Sequence, residues 1–200
     1  MQHALSNSEW DEVSVRTAGG QAVTYVYRRG PGKVRYEPWV VVAPSAIMAR
    51  LGKRGKGLYA ARGFRRDEYI GKYDGQVVGH YASREAALGS QAARRRALAG
   101  VDKLITLRPP RGGGVDLVDG THGGAPYISL CNDGRGTALQ PNCDITDAGW
   151  LRVLHARVPR FDTSSSLDAN IHSELRVDYS SDYWALFDVL GTECCPVEVD

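Results

Sequence analysis

Gly55-Lys56-Gly57-Leu58-Tyr59-Ala60 is the stretch on which the reading of this chain turns. It matches G-x-G-x-x-[GA], the glycine pattern of a dinucleotide-binding turn. That turn needs a buried strand before it and a helix opening after it. Neither neighbour fits. Leu51-Gly52-Lys53-Arg54 is basic and polar, and Arg62-Gly63-Phe64 follows within a turn. On its residues alone the hexapeptide is a glycine-rich turn leading into a short apolar run.

Outward from it, short strand-like segments dominate. Residues 23–29 and 34–43 precede it, divided by the turn signal Gly30-Pro31-Gly32. Tyr69-Ile70-Gly71-Lys72-Tyr73-Asp74-Gly75-Gln76-Val77-Val78 reads as strand, turn and strand. Further short strands are expected at 103–108, 115–119 and 150–158. One helix is expected over residues 83–98, with Ser83 as its N-cap. Arg94-Arg95-Arg96 at its end suits the helix dipole, and direct nucleic-acid binding is not expected from it. Residues 184–190 form one more apolar run. Strands and helices do not alternate, so a parallel doubly wound sheet is disfavoured. The expected class is a β-rich α+β fold.

The chain has 200 residues, 42% of them hydrophobic and 24% charged, enough for a buried core. No apolar run approaches the roughly 18 residues of a membrane span. The first ten residues lack a basic-then-apolar leader pattern, so an intracellular protein with free thiols is expected. The charge is uneven. Residues 50–72 carry eight Lys/Arg against Asp67 and Glu68, and residues 161–200 carry nine acids against Arg176. Such a split speaks to partners rather than fold.

Four segments, taken in order, resemble the SET domain of lysine methyltransferases. They are Gly55 to Ala60; Asp67-Glu68-Tyr69-Ile70-Gly71-Lys72-Tyr73-Asp74-Gly75; Pro126-Tyr127-Ile128-Ser129-Leu130-Cys131 with Pro141-Asn142; and Ser173-Glu174-Leu175-Arg176-Val177-Asp178-Tyr179. The resemblance implies a SET domain over residues 38–184. Residues 1–37 become an N-terminal flank packed on it, and residues 185–200 a short tail. Several small β-sheets are implied, with a pseudoknot at the active site where the third and fourth segments cross.

The implied activity is methylation of protein lysine with S-adenosyl-L-methionine. The substrate would be a histone or another basic protein tail, and the location nuclear. The resemblance makes Tyr179 and Tyr73 the catalytic residues. It makes Lys56, Gly57, Leu58, Tyr59, Ser129, Leu130 and Trp184 the cofactor contacts, with Gly57 letting the backbone approach closely. Acids including Asp162, Asp168 and Asp182 are expected to flank the channel and attract the basic tail.

Where the family has Asn-His-Ser, this chain has Ser129-Leu130-Cys131, and Pro126 replaces the preceding Arg. A register using Asn132 displaces the apolar Tyr127-Ile128 pair, so Ser129 is the expected counterpart. These departures leave a catalytically degenerate binding module of the same fold as the alternative. The tail has Cys194-Cys195 and not the family's zinc-binding spacing, so no metal is expected from Cys143, Cys194, Cys195 and His155.

Overall fold

Trp39-Val40-Val41-Val42-Ala43 is apolar without alternation because both of its faces are covered. In the computed structural model, Val40 and Val42 enter one cluster of buried side chains, while Val41 and Ala43 enter another. Side chains along a strand alternate in direction, so one strand can serve two layers. The structure describes residues 10–16, 20–28, 37–73, 75–99, 103–109, 112–121, 127–154 and 157–189.

The strand concerned is β3 (Glu37–Pro44) of an antiparallel sheet ordered β1-β2-β3-β4, with β1 at Trp10–Arg16, β2 at Ala22–Arg28 and β4 at Lys56–Ala60. β1 and β2 lie in the N-terminal flank and extend the sheet beyond β3. The turn Gly30-Pro31-Gly32 and residues 190–200 lie outside the described residues, as do Pro126 and His155. Ser45 caps the short helix α1 (Ala46–Arg50), its hydroxyl accepting the Met48 amide at 3.0 Å.

The rest of the chain makes small sheets. The strands are β5 (Tyr69–Lys72), β6 (Gln76–Tyr81), β7 (Leu104–Leu107), β8 (Val115–Asp119), β9 (Asn132–Asp133), β10 (Cys143–Ile145), β11 (Trp150–Val153) and β12 (Arg176–Val177). They pair as β10-β11-β5, β6-β8-β7 and the parallel pair β12-β9. The molecule is thus β-rich, with several small, mostly antiparallel sheets and few helices.

The expected helix needs correction. The single helix over 83–98 is two, α2 (Arg84–Leu88) and α3 (Gln91–Leu98). Gly89 ends the first, and Ser90 caps the second by accepting the Ala93 amide at 3.1 Å. Glycine and serine disfavour a helix interior, and serine gains a bond by starting a new one. Of the run at 184–190, the described residues 184–189 belong to a longer helix, α4 (Ser180–Val189). Tyr183 from α4 is buried with Ala87, Leu88, Ala93, Ala97 and Leu117, which fixes α4 against α2 and α3.

Candidate active site

The closing segment reaches the glycine-rich strand through one buried carboxylate. A short 3-10 turn at Ile171–Ser173 delivers Glu174 beside β4, where Glu174 bridges Tyr59 and the Leu175 amide donates to the Leu58 carbonyl at 2.7 Å. Glu174 is fully buried. Its Oε1 accepts from the Ser45 hydroxyl at 2.6 Å and the Asn132 amide at 2.9 Å, and its Oε2 from the Ile47 amide at 3.1 Å. The Tyr59 hydroxyl lies 3.2 Å from Oε2 and 2.8 Å from the Pro44 carbonyl. Burial and the nearby carboxylate push this hydroxyl up, so it stays protonated. A buried charge is tolerated only when so hydrogen-bonded.

The third segment joins the same network. Asn132 Nδ2 also donates to the Lys56 carbonyl at 3.1 Å. Asn142 donates to the Glu174 carbonyl at 2.8 Å and accepts the Arg176 amide at 2.7 Å. Segments that are distant in sequence therefore meet along β4, β9 and β12.

Next to this junction lies a cavity of about 160 Å³. Tyr73, Ser129, Val177 and Tyr179 line it, together with apolar Leu88, Leu104, Ile105 and Ile128. Tyr179 donates its hydroxyl to the Cys131 carbonyl at 2.5 Å, and Tyr73 donates to the Lys103 carbonyl at 2.7 Å. Gly120 makes room for Tyr73: a Cβ there would collide with the phenol oxygen and lie 2.9 Å from Ser129 Cβ. The two expected catalytic tyrosines thus share one cavity.

Asp144, Asp147 and Asp178 line the same cavity, with Arg84 and Lys103. The expected acids differ. Asp162 is spent on its own loop, accepting from Ser164 and Ser165, and Asp168 accepts from Arg50 at 3.1 Å. Short-range serine donors hold Asp162 in a turn, so neither Asp162 nor Asp168 lines the cavity. The Asp182 side chain lies outside the described residues.

The expected cofactor contacts separate into two kinds. Lys56 is exposed, and Trp184 is half-buried with its indole N–H on Asp133 Oδ2 at 2.9 Å. The same oxygen accepts the Tyr179 amide at 3.0 Å, and the Arg135 guanidinium sits 4.9 Å from the Trp184 ring centre. Leu58 and Tyr59, by contrast, have fully buried side chains committed to the core and to the Glu174 network. At Gly57, Glu174 fills the space where a side chain would be.

Ser129 faces the cavity, and half-buried Leu130 packs on the main core. The side chain that reaches the Lys56 backbone is Asn132. The 3-10 turn at Ile128–Leu130 absorbs the extra residues, so Ile128 stays buried while Asn132 enters β9. Asn132, three residues beyond Ser129, thus contacts the Lys56 backbone without displacing the buried Ile128. The polar pair Asn132-Asp133 directly after an apolar run is the signal that points to it.

Cys131 and Cys143 are buried free thiols; burial pushes both up, Cys143 to about 12. Among the described residues, no group of three or more His, Cys, Asp or Glu is placed to hold a metal. No helix among them is long and apolar enough to cross a membrane. Neither the models of known protein families nor the curated proteins contain a match to this chain.

Proposed function

We propose that this protein is a SET-type, S-adenosyl-L-methionine-dependent lysine methyltransferase acting on a basic protein tail such as a histone's. A nuclear location follows from that substrate class. The observation that carries the reading is the meeting of Tyr73 and Tyr179 at one small cavity, directly beside the junction of the first, third and fourth segments.

The residues around that junction suit the cofactor. The Lys56 ammonium and Arg135 guanidinium would take its carboxylate, and the Trp184 indole offers a flat apolar face for its base. Bound there, S-adenosylmethionine supplies the activated methyl group. The chain's own residues would do the rest. Asp144, Asp147 and Asp178 draw a cationic side chain towards the cavity. The apolar side chains in its wall, Leu104, Ile105 and Ile128 among them, would work against those acids by desolvating the ammonium, which favours the neutral, nucleophilic amine. A tyrosine hydroxyl that donates to a carbonyl presents its oxygen as an acceptor, so Tyr73 and Tyr179 can orient the amine N–H groups.

A second reading, a binding module of the same fold, is favoured by the cavity's size. Its 160 Å³ lies below the roughly 300–1,000 Å³ of ordinary ligand pockets. One experiment separates the two. Transfer of radiolabelled methyl to core histones is measured for the protein and for Tyr179→Phe, alongside the melting temperature with cofactor. Label that falls at least tenfold in the variant supports the enzyme. No label and no rise in melting temperature overturns it in favour of the module, because a ligand of the native state must stabilise it.

A further inference from the structure

The molecule carries a second concave surface where the chain enters β5, at the other end of that strand from the cavity-lining Tyr73. An open cleft of about 550 Å³ is lined by Arg62, Gly63, Arg65, Arg66 and Arg157, with Asp67 and Glu68. Both acids are engaged. Glu68 pairs with Arg62 and accepts the Arg65 amide at 2.9 Å, and Asp67 lies 3.6 Å from Arg66. These bonds also build the cleft. The Glu68 amide donates to the Arg65 carbonyl at 3.2 Å, closing a tight turn, and Asp67 takes a left-handed φ of 61° within it. Arg62 is stacked on Trp39 and Phe64 at 4.1 and 4.5 Å. Arg157 packs against Gly63, where a Cβ would come within 2.7 Å of its guanidinium. Reciprocal bonds between Phe64 and Val158 hold the two segments together.

The chain leaves this turn directly into β5, whose first residue is Tyr69. Tyr69 and Trp150 are 53% and 40% exposed, and their rings meet edge to face at 5.9 Å. Across the strands, Tyr69 opposes Arg152 and Trp150 opposes Lys72. Guanidinium groups held in a cleft beside solvent-facing rings are the combination that binds a phosphate backbone and stacks its bases.

We propose that the Arg62–Arg65–Arg66–Arg157 cleft and the adjoining Tyr69–Trp150 pair form a binding surface for single-stranded nucleic acid. The cations alone would suit any polyanion. The exposed ring pair selects a strand with unpaired bases. This surface is separate from Arg94-Arg95-Arg96 on α3, where Arg96 is held 3.0 Å from Asp119.

The test is fluorescence anisotropy of the full chain with a labelled oligothymidylate of about 15 nucleotides, a site-sized strand. A duplex of equal length and unlabelled heparin serve as rivals. Salt-dependent binding is expected. Arg65→Ala with Arg157→Ala should lower the slope of log affinity against log salt by about 1.4, since each phosphate contact on a single strand contributes about 0.7. Tyr69→Ala with Trp150→Ala should weaken binding about tenfold and leave the salt slope unchanged. Tyr69→Phe with Trp150→Phe should retain affinity. Arg94→Ala with Arg95→Ala should change nothing. Absence of binding at low salt overturns the proposal. So does a duplex that binds as tightly, heparin that competes equally charge for charge, or indifference to the loss of both rings. Circular dichroism confirms that each variant remains folded.

Discussion

Gly57 is a glycine because of Glu174. The Glu174 carboxylate lies where a side chain at residue 57 would be, and Ser45 closes the remaining space at 3.2 Å. Gly57→Ala should therefore force a buried, hydrogen-bonded carboxylate to move. Overpacking of this kind costs about 1–3 kcal/mol. Urea denaturation checks it, and an unchanged midpoint would show that Glu174 yields at no cost.

Asp133 ties α4 to the closing strand by accepting both the Tyr179 amide and the Trp184 indole. Asp133→Ala should destabilise the fold by about 1.5–3 kcal/mol, the range for hydrogen bonds to a charged group. Combined with Trp184→Phe, the losses should sum to less than their parts, because the two variants remove one shared bond. A double-mutant cycle in urea decides it. Strict additivity would deny the contact.

Glu68 should give the fold an acid-sensitive limb. Burial alone would raise its pKa. The bonds from Arg62 and the Arg65 amide, with the two guanidinium charges, outweigh burial and hold it below the ordinary 4.5. The unfolded chain then binds the proton more readily. The stabilisation is fully present above the unfolded pKa and is lost as pH falls through the folded one. From about pH 5 downward, the protein should lose more stability than Glu68→Gln does. Parallel pH titrations of the denaturation midpoint that coincide would refute this.

Cys131 and Cys143 should resist thiol reagents until the chain unfolds. Both are buried, and burial disfavours the reactive thiolate. In a Cys194→Ser, Cys195→Ser background, a disulfide reagent should label neither in buffer and both in urea. Rapid labelling in buffer would mean that the β10–β12 region opens.

Much of the architecture could be read along the chain. Turn residues divide it into short strands, and Val40 to Ala43 announces a strand covered on both faces. Tyr73 and Tyr179, chosen from separate segments, share one cavity. The helices were less legible. Gly89-Ser90 is the local signal that a second helix starts, and the strong helix formers on either side mask it. α4 shows no simple apolar stripe: Tyr183 is buried in the helical cluster, and its neighbour Trp184 both packs on that cluster and donates to Asp133.

Local chemistry thus settled much of which segments would be strands and which would turn. Tertiary contact settled what their residues do. Leu58 and Tyr59 became core, and Asn132 took the contact with the Lys56 backbone. Asp144 and Asp147 came to the cavity, while Asp162 and Asp168 stayed in other contacts. The physical reason is range. Periodicity and turn propensity act over a few residues. Glu174 meets Ser45, 129 positions away, and that hydrogen bond exists only once β4 and the closing segment have packed.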